Sequence, residues 1–215
     1  MGKKVFFAAF LLLGFFAPQA WAYDFTDTAS SGQTLQYTIL ADSTSVSVAK
    51  HGTMTGDLVI PSTVTNDGTT YTVTTIKANG FGMCFGLTSV SIPNSVTTIG
   101  GAAFHSCIGL TSITIPDSVT TIGDNAFMLC TGLLSVTIGN SVGSIGTAAF
   151  SSCDGLTTVT LPGSVTYIGA GAFYCRSLDT ITVLGQTPPT AHAAAFGAPT
   201  ARLPIRPVWQ KASAR

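Results

Sequence analysis

A phenylalanine recurs in this chain at intervals of 23 residues. It occupies positions Phe81, Phe104, Phe127, Phe150, Phe173 and Phe196. Self-similarity at a fixed period of this length is typical of a solenoid, in which each repeat buries its apolar face only against its neighbours. The period therefore predicts a stack of repeats, and it excludes a globular domain that closes around one core.

Each repeat contains an alternating stretch followed by a return segment. In the first regular repeat, Leu87, Val90 and Ile92 show the L-x-x-L-x-L spacing of a leucine-rich repeat strand. The period of two points Val90 and Ile92 inward, and Ser89 and Ser91 outward. Val96, Ile99, Ala103, Phe104 and Cys107 then bring apolar groups back to the interior, with Gly100 allowing the turn. The predicted fold is a β-dominated leucine-rich repeat solenoid, a right-handed superhelix with a parallel strand ladder and 23-residue repeats.

The composition agrees with a β-rich protein whose surface carries hydroxyls in place of charges. Charged residues make up only 8% of the chain, all nine acidic residues are Asp, and no Glu occurs. Glu is a strong helix former, so its absence disfavours long helices. From Tyr23 onward there are seven cations, four of them in the last 14 residues: Arg202, Arg206, Lys211 and Arg215. The repeats are thus mildly acidic, and no basic face with interleaved aromatic residues exists for nucleic acid.

The first 22 residues follow the order of a secretory signal peptide. Lys3 and Lys4 precede the apolar run from Val5 to Ala17, and the small-residue pattern Ala20-Trp21-Ala22 predicts cleavage after Ala22. An apolar core of this length falls short of the roughly 20 residues that a membrane-spanning helix needs. We therefore expect an exported protein, secreted or on the cell surface, with no transmembrane segment after cleavage.

The mature chain divides into three predicted parts. Residues 23–57 form an N-terminal β cap, with a hairpin from Leu35–Ile39 and Val46–Val48. Residues 58–196 form the repeats, of which the first carries a hairpin insertion around Asn66-Asp67-Gly68. The last repeat, from Phe173, is degenerate, and residues 197–215 are predicted to be an irregular tail.

The cysteines occupy one repeat position, and Cys175 is displaced by one residue: Cys84, Cys107, Cys130, Cys153 and Cys175. Export permits disulfides, but parallel side chains in a ladder and an odd count favour buried free thiols. Paired C-x-x-C spacing is absent, and His51, His105 and His192 are scattered, so no metal site is predicted.

The sequence offers no pairing of groups for catalysis. Asp117, Asp124, Asp154 and Asp179 occupy different repeat positions, so no two are specified as the close pair of a glycosidase. No G-x-S-x-G motif is present to expose a nucleophilic serine. We therefore predict a protein that is not an enzyme and that binds no cofactor.

The outward side of the strand ladder is the candidate binding face. Its predicted residues are short and hydroxylated: Thr88, Ser89, Ser91, Thr111, Ser112, Thr114, Ser135, Thr137, Thr157, Thr158, Thr160, Thr180 and Thr182. Short hydroxyls offer hydrogen bonds with little side-chain entropy to lose, which suits a protein or glycan ligand. Ser and Thr are also ordinary solvent-facing strand residues, and few aromatic or Arg side chains stand among them as binding hot spots.

The segment from Leu110 to Phe127, LTSITIPDSVTTIGDNAF, resembles the repeats of the BspA-like (Treponema pallidum-type) leucine-rich repeat proteins of bacterial surfaces. The resemblance covers roughly residues 58–196 in five phased copies. It implies an exported protein, of a kind common in Bacteroidetes-like bacteria, that adheres to host matrix proteins or to other bacteria and has no catalytic residues. Relatives of this style often end in a strand similar to Leu-Tyr-Val-Pro, where this chain has Arg202-Leu203-Pro204-Ile205.

Three functional hypotheses follow. The first is a monomeric recognition or adhesion module that binds a protein or glycan through the ladder face. The second is a structural spacer or assembly segment of the cell envelope without a ligand of its own. The third, suggested by paired hydroxyls such as Thr158 and Thr160, is an ice-binding surface.

Overall fold

The computed structural model describes residues 23–185, 187–196 and 208–209 of the 215-residue chain. They form a parallel β-solenoid of about six turns at the predicted 23-residue spacing, and they contain no helix. No helix among them could therefore cross a membrane. The predicted signal peptide lies outside the described residues, as does most of the predicted tail.

Seventeen strands make up the described structure. Those of the N-terminal part are β1 (Phe25–Thr28), β2 (Thr34–Ile39), β3 (Ser45–Lys50), β4 (Thr55–Val59), β5 (Thr63–Asn66) and β6 (Thr69–Ile76). Those of the repeats are β7 (Gly86–Ser91), β8 (Thr98–Ile99), β9 (Ser112–Ile115), β10 (Thr121–Ile122), β11 (Ser135–Ile138), β12 (Ser144–Ile145), β13 (Thr158–Leu161), β14 (Tyr167–Ile168), β15 (Thr180–Val183), β16 (Thr190–Ala191) and β17 (Val208–Trp209).

The repeats place their strands on two opposite faces. One face is the strand ladder, whose hydrogen-bonded groups are β4–β7, β9–β11 and β13–β15–β17. The other face, here called the opposite sheet, contains the short strands β8, β10, β12, β14 and β16, all parallel. Most paired residues on neighbouring strands of the repeats are 23 positions apart in sequence, as with Ile113 beside Val136 and Ile99 beside Ile122. The ladder is thus divided, whereas the opposite sheet is continuous.

The N-terminal cap is the start of the opposite sheet. Strands β2 and β3 form the predicted antiparallel hairpin, with Tyr37 beside Val48, and β1 adds a strand that the sequence analysis did not predict. Strand β3 then pairs in parallel with β6, which pairs with β8. The cap therefore supplies hydrogen-bond partners to the first face of the stack, as a solenoid terminus requires.

A hairpin lies at the position where the sequence predicts an insertion. Strands β5 and β6 are antiparallel and are joined by Asp67 and Gly68. Both linking residues have positive φ, 46° and 80°. A two-residue turn of this kind matches the twist of the strands it connects, which explains the Asp-Gly sequence.

The recurring phenylalanines stack along the centre of the solenoid. From Phe81 to Phe173 they are fully buried, and neighbouring rings lie 5.1–5.4 Å apart with planes within 10° of parallel. The last pair, Phe173 and Phe196, is looser at 6.3 Å. Burial of a large aromatic side chain contributes roughly 1.5–3 kcal/mol, so this column is a main source of stability.

The cysteine column consists of free thiols. The Cys107 Sγ donates to the Phe81 carbonyl oxygen of the preceding repeat at 3.2 Å, and Cys130 does the same to Phe104 at 3.1 Å. Although Cys175 is displaced by one residue in the sequence, its Sγ still donates to the preceding repeat at 3.0 Å. Burial raises the pKa of Cys175 to about 12. From Cys107 to Cys175 the thiols therefore act as hydrogen-bond donors between repeats.

Two different backbone requirements shape the turn after each return segment. One position has room only for glycine, and two other positions have positive φ. Gly100 does not have positive φ; a Cβ there would lie 2.6 Å from the Ala78 backbone nitrogen, so glycine is needed for space. The left-handed residues occur at two other repeat positions: Asn79, Ala102, Asn125 and Ala148, and Met83, Ser106, Leu129 and Ser152. Non-glycine residues in this conformation cost free energy, which the stacking contacts offset.

Candidate functional site: the hydroxyl face of the strand ladder

The predicted binding residues lie along the outer side of the ladder. In β9 and β13, exposed hydroxyl residues alternate with buried aliphatic ones, as the period of two predicts. Ten of the thirteen residues are exposed, and the other three, Ser89, Thr180 and Thr182, are half-buried. The structure thus brings all thirteen to one face.

The parallel register arranges these hydroxyls in columns that cross the repeats. Ser112 lies beside Ser135 and Thr114 beside Thr137; farther along, Thr158 lies beside Thr180 and Thr160 beside Thr182. Strand β17 pairs next to β15, so a segment of the predicted tail adds to the ladder. Neighbouring strands of a sheet lie roughly 4.8 Å apart, which sets the spacing of hydroxyls along each column.

Several hydroxyls of the return segments are hydrogen-bonded to the preceding repeat. In two successive repeats, Ser95 and Ser118 donate to the carbonyl oxygens of Val73 and Val96, each at 2.7 Å, and the Ser164 hydroxyl is bonded in the same way. The Thr120 hydroxyl bonds to the Thr97 carbonyl oxygen at 3.3 Å. These groups link one repeat to the next, so their Ser and Thr have a structural role.

The ladder hydroxyls differ from these bonded Ser and Thr residues. From Ser91 to Thr182, no candidate residue has a side-chain hydrogen bond to another described residue. Their donors and acceptors consequently face solvent and are available to a ligand. Ser95, Ser118 and Ser164 therefore have a structural role that the ladder hydroxyls do not share.

The first repeat is the exception, because Asp57 occupies two of its hydroxyls. Asp57 Oδ1 accepts hydrogen bonds from Thr88 Oγ1 at 2.9 Å and from Ser89 Oγ at 2.6 Å. The bond from Ser89, followed by that from Thr88, lowers the pKa of Asp57. Asp57 belongs to β4, which pairs with β7. The ladder therefore begins inside the segment that was assigned to the cap by sequence.

Two exposed aliphatic residues also belong to this face, and the sequence analysis missed both. Leu134 is 64% exposed and Val59 is 38% exposed. Leu134 stands 23 residues after Thr111, whose carbonyl oxygen accepts the Leu134 N–H at 2.9 Å. Alignment of the repeats would have revealed Leu134 as an apolar residue at a position where the preceding repeat has Thr111. Exposed apolar side chains on a binding face supply the contact area that hydroxyls lack.

A groove of about 570 Å³ lies at the carboxyl ends of β7, β9 and β11. Its polar lining comes from three successive repeats: Ser91, Thr114 and Thr137 at the strand ends, and Asn94, Asp117 and Asn140 in the turns that follow. Ile115 and Ile138 contribute apolar surface. Asp117 Oδ1 accepts the Asn140 backbone N–H at 2.7 Å. The groove thus joins the candidate hydroxyl columns to a row of turn residues that the sequence analysis did not place in a binding site.

Three of the four carboxylates considered for catalysis share a structural role. Asp117, Asp124 and Asp154 each accept a backbone N–H from the following repeat, at 2.6–2.9 Å. Asp154 also lies 3.8 Å from the exposed Arg176 side chain. Within the described part of the chain, no three His, Cys, Asp or Glu residues are grouped so that they could hold a metal ion.

Comparison with known proteins places this architecture in a family. The family model of the BspA-type leucine-rich repeat region matches residues 74–196 in six copies. The crystal structure of a Treponema pallidum leucine-rich repeat protein is similar, with 33% identity and a TM-score of 0.65. The match covers 73% of this chain and 71% of that one. A leucine-rich repeat protein from Bacteroides ovatus is 28% identical with a TM-score of 0.61, over 70% of this chain and 48% of that one.

No curated protein matches the sequence, so these likenesses concern family and architecture and name no ligand. The family model nevertheless spans more than half of the chain, in the phase set by the recurring phenylalanines. The resemblance drawn from the Leu110–Phe127 segment is therefore confirmed, together with the predicted solenoid fold. The chain belongs to the BspA-type leucine-rich repeat family.

Proposed function

We propose that this chain is an exported recognition module, which adheres to a host matrix component or to a bacterial surface protein or glycan. Binding takes place on the hydroxyl face of the ladder. The fold supports this function because a solenoid presents one extended surface built from equivalent positions of successive repeats. The family, whose members are leucine-rich repeat proteins, supports an interaction role in general and leaves the partner to be identified.

The observation that carries the proposal is that the exposed ladder hydroxyls beyond the first repeat form columns on one face and are not used in bonds between the described repeats. In the return segments, hydroxyls such as that of Ser118 are bonded to the preceding repeat. On the ladder, those of Thr114 and Thr137 have no protein partner among the described residues and point to solvent. A ligand there gains hydrogen bonds without breaking any within the protein.

The experiment compares matched double variants in a binding panel. The mature chain, residues 23–215, is tested against immobilised matrix proteins, glycans and extracts of bacterial surfaces. Thr114 and Thr137 are neighbours in register on the ladder, as Thr98 and Thr121 are on the opposite sheet. We expect T114E/T137E to lose binding at least tenfold and T98E/T121E to bind like the unmodified chain.

The spacer hypothesis predicts the contrary result. If the repeats bind nothing themselves, no component of the panel is retained, or both double variants behave alike. Either outcome would refute recognition through the ladder face. Circular dichroism of each variant verifies that the fold is retained before binding is measured.

Export is a separate part of the proposal. It predicts that the protein recovered outside the cytoplasm begins at Tyr23, because the predicted signal peptide is cleaved after Ala22. Intact-mass measurement of the exported chain tests this. Recovery of a chain that retains Met1 to Ala22 would contradict it.

A further inference from the structure

We infer that the groove at the carboxyl ends of β7, β9 and β11 receives a basic, extended segment of a partner protein, with a Lys or Arg side chain paired to Asp117. This inference rests on the proposed function, since it names the partner chemistry and the anchoring point on the same face. It goes further in assigning a role to turn residues outside the strands.

The charge of the described repeats favours a basic partner. Residues 23–196 contain nine Asp but only three Lys or Arg, namely Lys50, Lys77 and Arg176. Asp117 is the only charged residue that lines the groove, and no cation stands among the lining residues. The four cations of residues 202–215 leave the mature chain with a net charge of only −2, so the attraction is local to the repeats, where a basic segment finds one defined carboxylate in the groove.

The geometry leaves Asp117 able to form such a pair. Its Oδ1 atom is held by the Asn140 N–H at 2.7 Å, which orients the carboxylate, while no described residue donates a hydrogen bond to Oδ2. Guanidinium and ammonium groups donate to carboxylate oxygens in this arrangement. The hydroxyls of Thr114 and Thr137 lie on the strand side of the same groove, where they can bond to the main chain of a bound segment.

The dimensions suit a short stretch of extended chain. Three ladder strands about 4.8 Å apart span roughly 10 Å, and an extended chain advances about 3.3 Å per residue. Three or four residues would therefore cross the groove, with apolar contact from Ile115 and Ile138. The single carboxylate then selects one basic side chain within that stretch.

A glycan fits the groove less well. The lining residues include no aromatic side chain, so there is no flat apolar platform against which a sugar ring could stack. An anionic polysaccharide or phosphate would meet a carboxylate and no compensating cation. These differences favour a basic protein segment over a glycan.

The test uses fluorescent nonapeptides that alternate Ser with Arg, Glu or Gln, together with cellohexaose as a neutral glycan. Binding to the mature chain is measured by fluorescence anisotropy, and cellohexaose is added as a competitor. We expect the Arg-Ser peptide to bind, the Glu-Ser peptide not to bind, and affinity to fall as salt is raised, because salt screens exposed charges.

Two variants locate the contact. D117N keeps an oxygen that can accept the Asn140 N–H but removes the charge, and we expect it to weaken Arg-Ser binding about fivefold, as for one ion pair at an exposed site. D124N is the matched control, since Asp124 accepts the Thr147 N–H at 2.6 Å and lies outside the groove. We expect its affinity to stay within about twofold of the unmodified chain. As a second variant, T137K places a cation in the groove and should also weaken binding.

Several outcomes would overturn the inference. Equal effects of D117N and D124N would show general charge attraction without a site, and displacement of the peptide by cellohexaose would assign the groove to glycans. If T114E/T137E abolishes binding of a panel component but D117N leaves that binding unchanged, recognition through the ladder is supported and the inference of a basic segment is wrong. If no panel component binds and the Arg-Ser peptide does not bind, both fall together.

Discussion

Replacement of Phe127 by alanine tests whether the phenylalanine column holds the repeats together. Phe127 is fully buried, and its ring lies 5.3 Å from Phe104 and 5.1 Å from Phe150. Removing a buried phenylalanine costs about 3–5 kcal/mol through lost burial and the cavity that remains. Each aromatic pair contributes roughly 0.5–1.5 kcal/mol, so the two lost stacking contacts account for a substantial share of that cost.

Equilibrium unfolding in urea, followed by circular dichroism, measures the loss. The control is F196A, because Phe196 is half-buried and has one ring neighbour at 6.3 Å; we expect it to cost less than half as much as F127A. A domain of this kind is stable by only about 5–15 kcal/mol, so F127A should lower the midpoint clearly. A loss below about 1.5 kcal/mol, or equal losses for the two variants, would refute a central role for the stack.

Three further substitutions test smaller features. G146A should lower the free energy of unfolding in urea by about 2–3 kcal/mol, because the added Cβ would lie 2.6 Å from the backbone of the preceding repeat. The control G143A, where the nearest such contact is 3.8 Å, should change it by less than about 1 kcal/mol. Equal losses for the two variants would contradict crowding at Gly146. S89A should raise the pKa of Asp57 in an NMR titration, because the Ser89 hydroxyl lowers it. Because the pKa of Asp57 is lower in the folded protein than in the unfolded chain, its carboxylate stabilises the fold at pH values above the unfolded pKa of about 3.9. This contribution to stability is lost as the pH falls through the pKa of the folded protein. G68A should destabilise by about 1 kcal/mol, because φ at Gly68 is 80°; an unchanged melting temperature would argue against the left-handed turn.

The repeat, the ladder and the hairpins were predictable because each depends on a local pattern. The 23-residue phase located the buried Phe column, and the Asp67-Gly68 turn carries a specific backbone signal. Strand β1 was missed because Phe25 is its only buried residue, which leaves no alternation to detect. Strand β4 was divided by the predicted boundary because Asp57 lies on its exposed side and resembles a loop residue.

The details of the candidate site were less accessible to sequence reasoning. The left-handed positions of the repeats are filled by Asn, Ala, Gly, Met, Ser and Leu, so no single residue type marks them. Whether a hydroxyl is bonded to the preceding repeat, as at Ser118, or faces solvent, as at Thr114, depends on contacts between repeats. The groove is formed by turn residues from three successive repeats. Each repeat contributes only one of these turn residues, so the sequence of a single repeat does not reveal the groove.

The division of the ladder into three hydrogen-bonded groups has a mechanical consequence. The opposite sheet runs without a break from β1 to β16, whereas the ladder is interrupted between β7 and β9 and between β11 and β13. The Thr111 N–H still donates to the Thr88 carbonyl oxygen at 3.5 Å across the first break, so we expect the solenoid to bend more easily on the ladder side than on the side of the continuous sheet. If the ladder binds a partner as proposed, its curvature could adjust to that partner while the continuous sheet keeps the repeats in register.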